Sequence, residues 1–166
     1  MKSKFFILKI FIYFFFIIFS NKILSEELIF NASKIQSLDK GNKIKAYDGI
    51  EIVDPNGIVI TGDEFEYDKI KSVVKIDGNV VVVDNINDLT INSEEVVYLR
   101  NDNKIFSKNF TQIILNQNYI LKTSDVIYDR NLNIISAESE TIVKDNLNNT
   151  LNFNEFKLSV SKKILD

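Results

Sequence analysis

Phe65-Glu66-Tyr67-Asp68, Val96-Val97-Tyr98-Leu99-Arg100 and Val126-Ile127-Tyr128-Asp129-Arg130 are three versions of one segment, and their tyrosines stand 31 and 30 residues apart. The same period reaches back to Ile35-Gln36-Ser37-Leu38 and forward to Phe156-Lys157-Leu158-Ser159. A period of this length marks a supersecondary unit that buries its apolar face only against its neighbours in a stack. Function then resides in the stacked surface rather than in one local motif.

Between the repeats, turn signals recur every 13 to 17 residues: Asp39-Lys40-Gly41-Asn42, Asp54-Pro55-Asn56-Gly57, Asp68 to Lys71, Asp84 to Asp88, Arg100 to Lys104, Asn116-Gln117-Asn118, Asp129-Arg130-Asn131, Asp145 to Asn149 and Ser161-Lys162-Lys163. Asn, Asp and Gly tolerate positive φ, and Pro presets a corner, so each cluster can reverse the chain. The segments between them are rich in Val, Ile, Phe and Thr and read as strands of about 10 to 12 residues. Runs such as Ile58-Val59-Ile60 and Val80 to Val83 resist a helix because β-branched side chains crowd the preceding turn. The fold expected is all-β and antiparallel, built from two-strand repeats.

Alternation sorts the faces. Val74, Ile76, Val80 and Val82 share one side of their segment, opposite Lys75, Asp77 and Asn79. Ile105, Ile113 and Leu115 share a side opposite Lys108 and Gln112, although Phe106, Phe110 and Ile114 break the pattern. At Gly62 the apolar phase slips from even positions (Ile58, Ile60) to odd ones (Phe65, Tyr67), as one extra residue would cause. Asp48-Gly49 and Gly78-Asn79 lie at matching places in their own segments, so bends there would fold the whole sheet into a trough or flattened jelly roll.

The bulk composition excludes several classes. With 166 residues, 45% of them hydrophobic, the chain holds one domain with a substantial core. Met1 to Lys4 is basic and Ile10 to Phe19 is unbroken apolar, which reads as a signal peptide over residues 1–25, the domain then covering 26–166. An uncleaved anchor is the competing reading. Residues 1–25 contain four lysines and no acid, leaving 16 of the 20 basic and all 23 acidic residues in the remainder, a net charge of −7. A nucleic-acid partner does not suit that charge. The chain has no His and no Cys, so it lacks the commonest general base, a thiol nucleophile, the usual transition-metal ligands and any disulfide.

Asp63, Glu64, Glu66 and Asp68 form the densest carboxylate cluster, and alternation accounts for them as a solvated strand face better than as a glycosidase pair. Asp84 to Asp88 reads as a plain turn, because Ile86 stands where a calcium loop needs an oxygen ligand. The apolar surface itself remains. Tyr67, Tyr98, Tyr128 and Leu158 are expected to form one column, with Phe65, Val96, Val126 and Phe156 forming a second. The columns are either a closed core ladder, as in an exported structural β-solenoid that binds no lipid, or the wall of an open apolar groove.

These features resemble the OstA-like domains of bacterial lipopolysaccharide transport, known as the periplasmic bridge LptA and as the N-terminal domain of LptD. The resemblance rests on Thr61-Gly62-Asp63-Glu64-Phe65-Glu66-Tyr67-Asp68 and Thr123-Ser124-Asp125-Val126-Ile127-Tyr128-Asp129, on the Gly78 to Val82 segment, and on a secretion signal running into a first repeat at Leu28 to Ser33. It implies a twisted, V-shaped β-jelly roll in the periplasm, with no catalysis and no cofactor, whose interior holds the acyl chains of lipopolysaccharide. The implied groove lining is Phe65, Tyr67, Val74, Ile76, Val80, Val82, Val96, Tyr98, Ile105, Ile113, Leu115, Val126, Tyr128, Phe156 and Leu158. Implied partners are lipopolysaccharide, other OstA-like domains paired through edge strands, and an outer-membrane β-barrel continuing the chain. Because the last repeat is incomplete at Asp166, the reading is an N-terminal LptD-type piece, with a stand-alone bridge of the LptA type next and a membrane-anchored LptC type third.

Overall fold

The computed structural model describes residues 28–160. The segment read as a signal peptide and the turn at 161–163 lie outside them. Thirteen strands form one antiparallel sheet: β1 (Ile29–Asn31), β2 (Lys34–Leu38), β3 (Lys43–Asp54), β4 (Ile58–Asp68), β5 (Val73–Asp84), β6 (Leu89–Leu99), β7 (Lys104–Leu115), β8 (Tyr119–Ser124), β9 (Ile127–Asp129), β10 (Ile134–Ala137), β11 (Thr141–Asp145), β12 (Thr150–Phe153) and β13 (Phe156–Ser159). A 3-10 turn at Asp39–Gly41 joins β2 to β3. Among the described residues no helix is long and apolar enough to cross a membrane.

Every long strand changes register at its middle. The shifts fall between Tyr47 and Ile50, Thr61 and Glu64, Asp77 and Val80, and Ser93 and Glu95. Asp48 and Gly49 on β3, Gly78 and Asn79 on β5, and Asn109 on β7 sit there at positive φ. At each shift one strand therefore carries one residue more than its neighbour, which bends the pair and raises its twist. Because the bulges are aligned from strand to strand, the sheet folds along a single line into two arms. Further along the chain the bend becomes a break: β8 ends at Ser124, Asp125 takes positive φ, and β9 resumes on the other arm. This is why β3 to β7 have the expected length of 11 or 12 residues while the later strands are half-length. The opening segment likewise splits into β1 and β2, which pair with opposite halves of β3.

Buried hydroxyls satisfy the backbone at the bend. Ser93 Oγ donates to the Lys108 carbonyl (3.0 Å), Thr141 Oγ1 bonds the Ser139 carbonyl (3.0 Å) and Thr123 Oγ1 (2.9 Å), and the Val126 amide donates to Ser107 Oγ (3.1 Å). Left unpaired in this apolar setting, such groups would each cost about 1–3 kcal/mol.

The arms pack face to face. Phe30 of β1, on one arm, lies 5.1 and 5.8 Å from the rings of Phe65 and Tyr67 on the other. The facing strands are offset, so each arm overhangs at one end. Leu151 and Phe153 point inward from β12 by their register with Val143 and Thr141, yet are 60% and 41% exposed. At the opposite end Ile35 faces inward beside Ala46 and is 57% exposed.

Gly62 tests the bend. A Cβ there would overlap Ile76 Cγ2 and come into contact with the Gly78 carbonyl. Gly62→Ala is expected to cost about 1–3 kcal/mol in a urea unfolding series, as overpacking does. A change under half that would show that the bend has slack.

Candidate ligand interior and its clasps

Pairing register extends the side-chain alternation of single strands into rows that run the length of the sheet. On one arm, Ile44, Tyr67, Val74, Tyr98, Ile105, Tyr128, Ile135 and Leu158 are successive partners. On the other, Phe30, Ile52, Ile60, Val82, Ile91, Ile113, Leu121, Val143 and Leu151 do the same. The nine strands of this second arm, at 4.7–4.9 Å each, extend on the order of 40 Å. Both rows face the space between the arms.

The residues singled out from sequence as candidate lining all lie on this inner surface. Phe65, Tyr67, Val74, Ile76, Val96, Tyr98, Ile105, Val126 and Tyr128 come from one arm, and Val80, Val82, Ile113 and Leu115 from the other. All thirteen are buried, and Phe156 and Leu158 pack against them from the last strand. In this conformation the middle of the interior is packed shut. A cavity of about 840 Å³ lies at the C-terminal bend, lined by Asp125, Glu138, Glu155 and Lys157 together with Ile127, Ala137 and Phe156.

The free rim opposite the bend is closed by two polar clasps. Asp54 Oδ2 accepts hydrogen bonds from Tyr98 Oη (3.2 Å) and Arg100 Nε (3.1 Å), and Arg100 Nη1 also reaches Tyr67 Oη at 3.3 Å. One period on, Asp84 Oδ2 accepts from Tyr128 Oη (2.8 Å), Arg130 Nε (2.9 Å) and Asn87 Nδ2 (3.0 Å). Arg130 is further held by Asn103 Oδ1 and the Asn56 carbonyl, each at 2.8 Å. Each aspartate uses its second oxygen to cap its own hairpin: Asp54 Oδ1 takes the Asn56 amide and Asp84 Oδ1 those of Ile86 and Asn87. At the third equivalent rung stand Leu115, Leu158 and Val160, all apolar and all in or against the core.

Sequence reasoning took Asp54, Asp84, Arg100 and Arg130 for turn residues and missed the clasps. The signal lay in the repeat itself: Tyr-x-Arg recurs at 98/100 and 128/130, and Asp recurs at 54 and 84 with the same 30-residue spacing. The carboxylate cluster behaves as expected of a strand face. Asp63 takes Asn79 Nδ2 at 2.7 Å, Asp68 caps the Lys71 amide, and Glu66 pairs with Lys45 at 3.1 Å. No group of potential metal ligands assembles among the described residues.

Burial works against the Asp84 carboxylate, but hydrogen bonds from Arg130, Asn87 and Tyr128 outweigh it and hold its pKa below the usual carboxylate value. Burial and the charge of Asp54 push the Tyr98 hydroxyl up to about 12, so it stays a proton donor. A depressed pKa in the folded state contributes stability that is complete above the unfolded value of about 4 and lost as pH falls through the folded one. Asp84→Asn is therefore expected to be less stable than the parent at pH 7, with the gap narrowing as urea titrations are moved toward pH 3. A gap of constant size would show that the clasp does not depend on the charge of Asp84.

The sequence matches no protein-family model and no curated protein. Among solved structures it is similar to LptH from Pseudomonas aeruginosa, described as the LptA homologous periplasmic component of the conserved lipopolysaccharide transport device. The two superpose with a TM-score of 0.56 at 14% identity, over 62% of this chain and 76% of that one. At that identity the likeness is one of fold: this chain has the all-β, twisted jelly-roll architecture of an LptA-like protein.

Proposed function

We propose that this chain is a non-enzymatic periplasmic module of lipopolysaccharide transport, holding acyl chains between its arms and passing them along the stack. The observation that carries this reading is the pair of apolar inner rows, which run from one overhanging end of an LptA-like fold to the other. The inner rows are apolar over their whole length save for the tyrosine hydroxyls, and an elongated apolar ligand is the partner their shape and chemistry suit. The packed middle favours a second reading, an exported β-scaffold that binds no lipid. The finer assignment, the N-terminal domain of an LptD-type protein rather than an LptA-type bridge, turns on whether the coding sequence continues past Asp166 into alternating barrel strands of about ten residues.

A photo-crosslinking residue distinguishes carrier from scaffold. Placed at Phe153, inward and half-open at the C-terminal mouth, it is expected to capture lipopolysaccharide, whereas at the neighbouring outward Asn152 it is not. Equal capture at both positions, or at neither, would remove the groove reading.

The four terminal strands carry the proposed partner surface. Among the described residues β1 and β2 pair only with β3, β12 only with β11, and β13 only with β10, so on both arms at each end there is a backbone edge on which no described strand lies. None contains a proline to block an added strand. Together with the inward overhangs at Ile35 and at Leu151 and Phe153, these edges suit another OstA-like domain, joined by backbone pairing and continuous apolar walls. Leu158→Pro is expected to weaken pull-down of a bridge-type partner while circular dichroism stays β-like. Undiminished binding after proline at both Leu158 and Ile35 would rule out edge-to-edge docking.

A further inference from the structure

The clasps use charge where the fold itself shows that none is required. At the equivalent positions of the third rung, Leu115 and Val160 are buried in the core and Leu158 packs against it, with no polar side chain among them. Replacing a buried ion pair by packed apolar residues is commonly neutral or stabilising, so Asp54–Arg100 and Asp84–Arg130 are not the firmest closure available. Their distinctive property concerns the open state. When an apolar rung separates, it exposes hydrocarbon to water, whereas a separated Asp–Arg pair regains its hydration. Charge at the rim therefore lowers the cost of parting the arms relative to an apolar rim.

Placement supports the same view. Among the described hydrogen bonds, the side-chain links that cross from one arm to the other away from the bend belong to these two clasps. Opening the rim thus breaks these side-chain links and parts the facing apolar rows, while the hydrogen bonds of the strand ladders within each arm are not among those it breaks. Both aspartates keep their hairpin-capping bonds through Oδ1, so the tips stay ordered when Oδ2 is released.

Resting on the transport reading, we propose that the two clasps are a reversible latch. The arms part along the 54/100 and 84/130 rungs to admit acyl chains from the side and close again behind them. The apolar third rung stays shut and keeps the arms in register. Lipid then enters along the rim as well as through the ends, and the number of polar rungs sets the length of the opening.

The chain contains no cysteine, so Ile86→Cys and Leu132→Cys, exposed turn residues adjoining the second clasp on opposite arms, provide two unique sites for spin labels. In the full chain mixed with purified lipopolysaccharide, the label-to-label distance is expected to lengthen by roughly 5 Å, half the spacing of packed sheets. A variant that copies the third rung, Asp84→Leu with Tyr128→Leu and Arg130→Val, is expected to melt no lower than the parent, keep the short distance and take up lipopolysaccharide about tenfold less well. Arg130→Gln, which breaks the latch, is expected to show the long distance without lipid. Uptake by the parent with an unchanged distance, or equal uptake by the apolar-rung variant, overturns the latch and leaves the transport reading standing. No uptake by the parent overturns both, a result plainly different from the first.

Discussion

One row of aligned bulges sets the geometry on which everything else depends. An antiparallel sheet of this length, left regular, would be a twisted ribbon with two wet faces and no core. One extra residue on every other strand at its middle bends each pair, and repeating the bend at the same height turns a ribbon into two facing arms. The inner rows become a core only because of that fold. Gly62 and Gly78 permit it by leaving out a Cβ where Ile76 and Asp63 stand, and Asp48, Asn79 and Asn109 accept the positive φ that most residues refuse.

The bend then dictates how the interior is finished. Next to it, where ladder bonds are interrupted, hydroxyls of Ser93, Ser107, Thr111, Thr123 and Thr141 supply the missing partners, and no buried side-chain polar atom is left unpaired among the described residues. Away from it the rows are apolar but for the hydroxyls of Tyr67, Tyr98 and Tyr128. At the far rim the arms meet again, and there the chain alternates two solutions to one problem, a charged rung twice and an apolar rung once. Tyrosine serves both environments, since its ring packs in the row while its hydroxyl reaches the aspartate at the rim. That dual role explains why Tyr98 and Tyr128 stand in charged rungs and Leu158 in the apolar one.

Offset between the arms gives the molecule its polarity. Because facing strands are displaced along the stack, inner apolar surface is left uncovered on one arm at the start of the chain and on the other at its end. An exposed edge strand is usually protected by charge, proline or shortness. Here β1, β12 and β13 are short, but their inward side chains are apolar, a combination that favours a specific neighbour over solvent.

Much of this was legible in the sequence. The 30-residue period, the turn clusters and the β-branched alternation marked out the strands and the inward columns, since Tyr67, Tyr98, Tyr128 and Leu158 do lie in one row and the phase slip at Gly62 falls in the register shift between Thr61 and Glu64. Period and alternation are local properties, written in neighbouring residues and readable without contacts. The halving of the late strands, the offset of the arms and the pairing of Asp54 with Arg100 and of Asp84 with Arg130 were decided only in three dimensions. Those clasp partners lie 46 residues apart on opposite arms, and nothing local distinguishes a turn aspartate that caps its own hairpin from one that also reaches across. Side-chain pattern along a strand determines which face is buried, but the twist and bend of the whole sheet determine what that face meets.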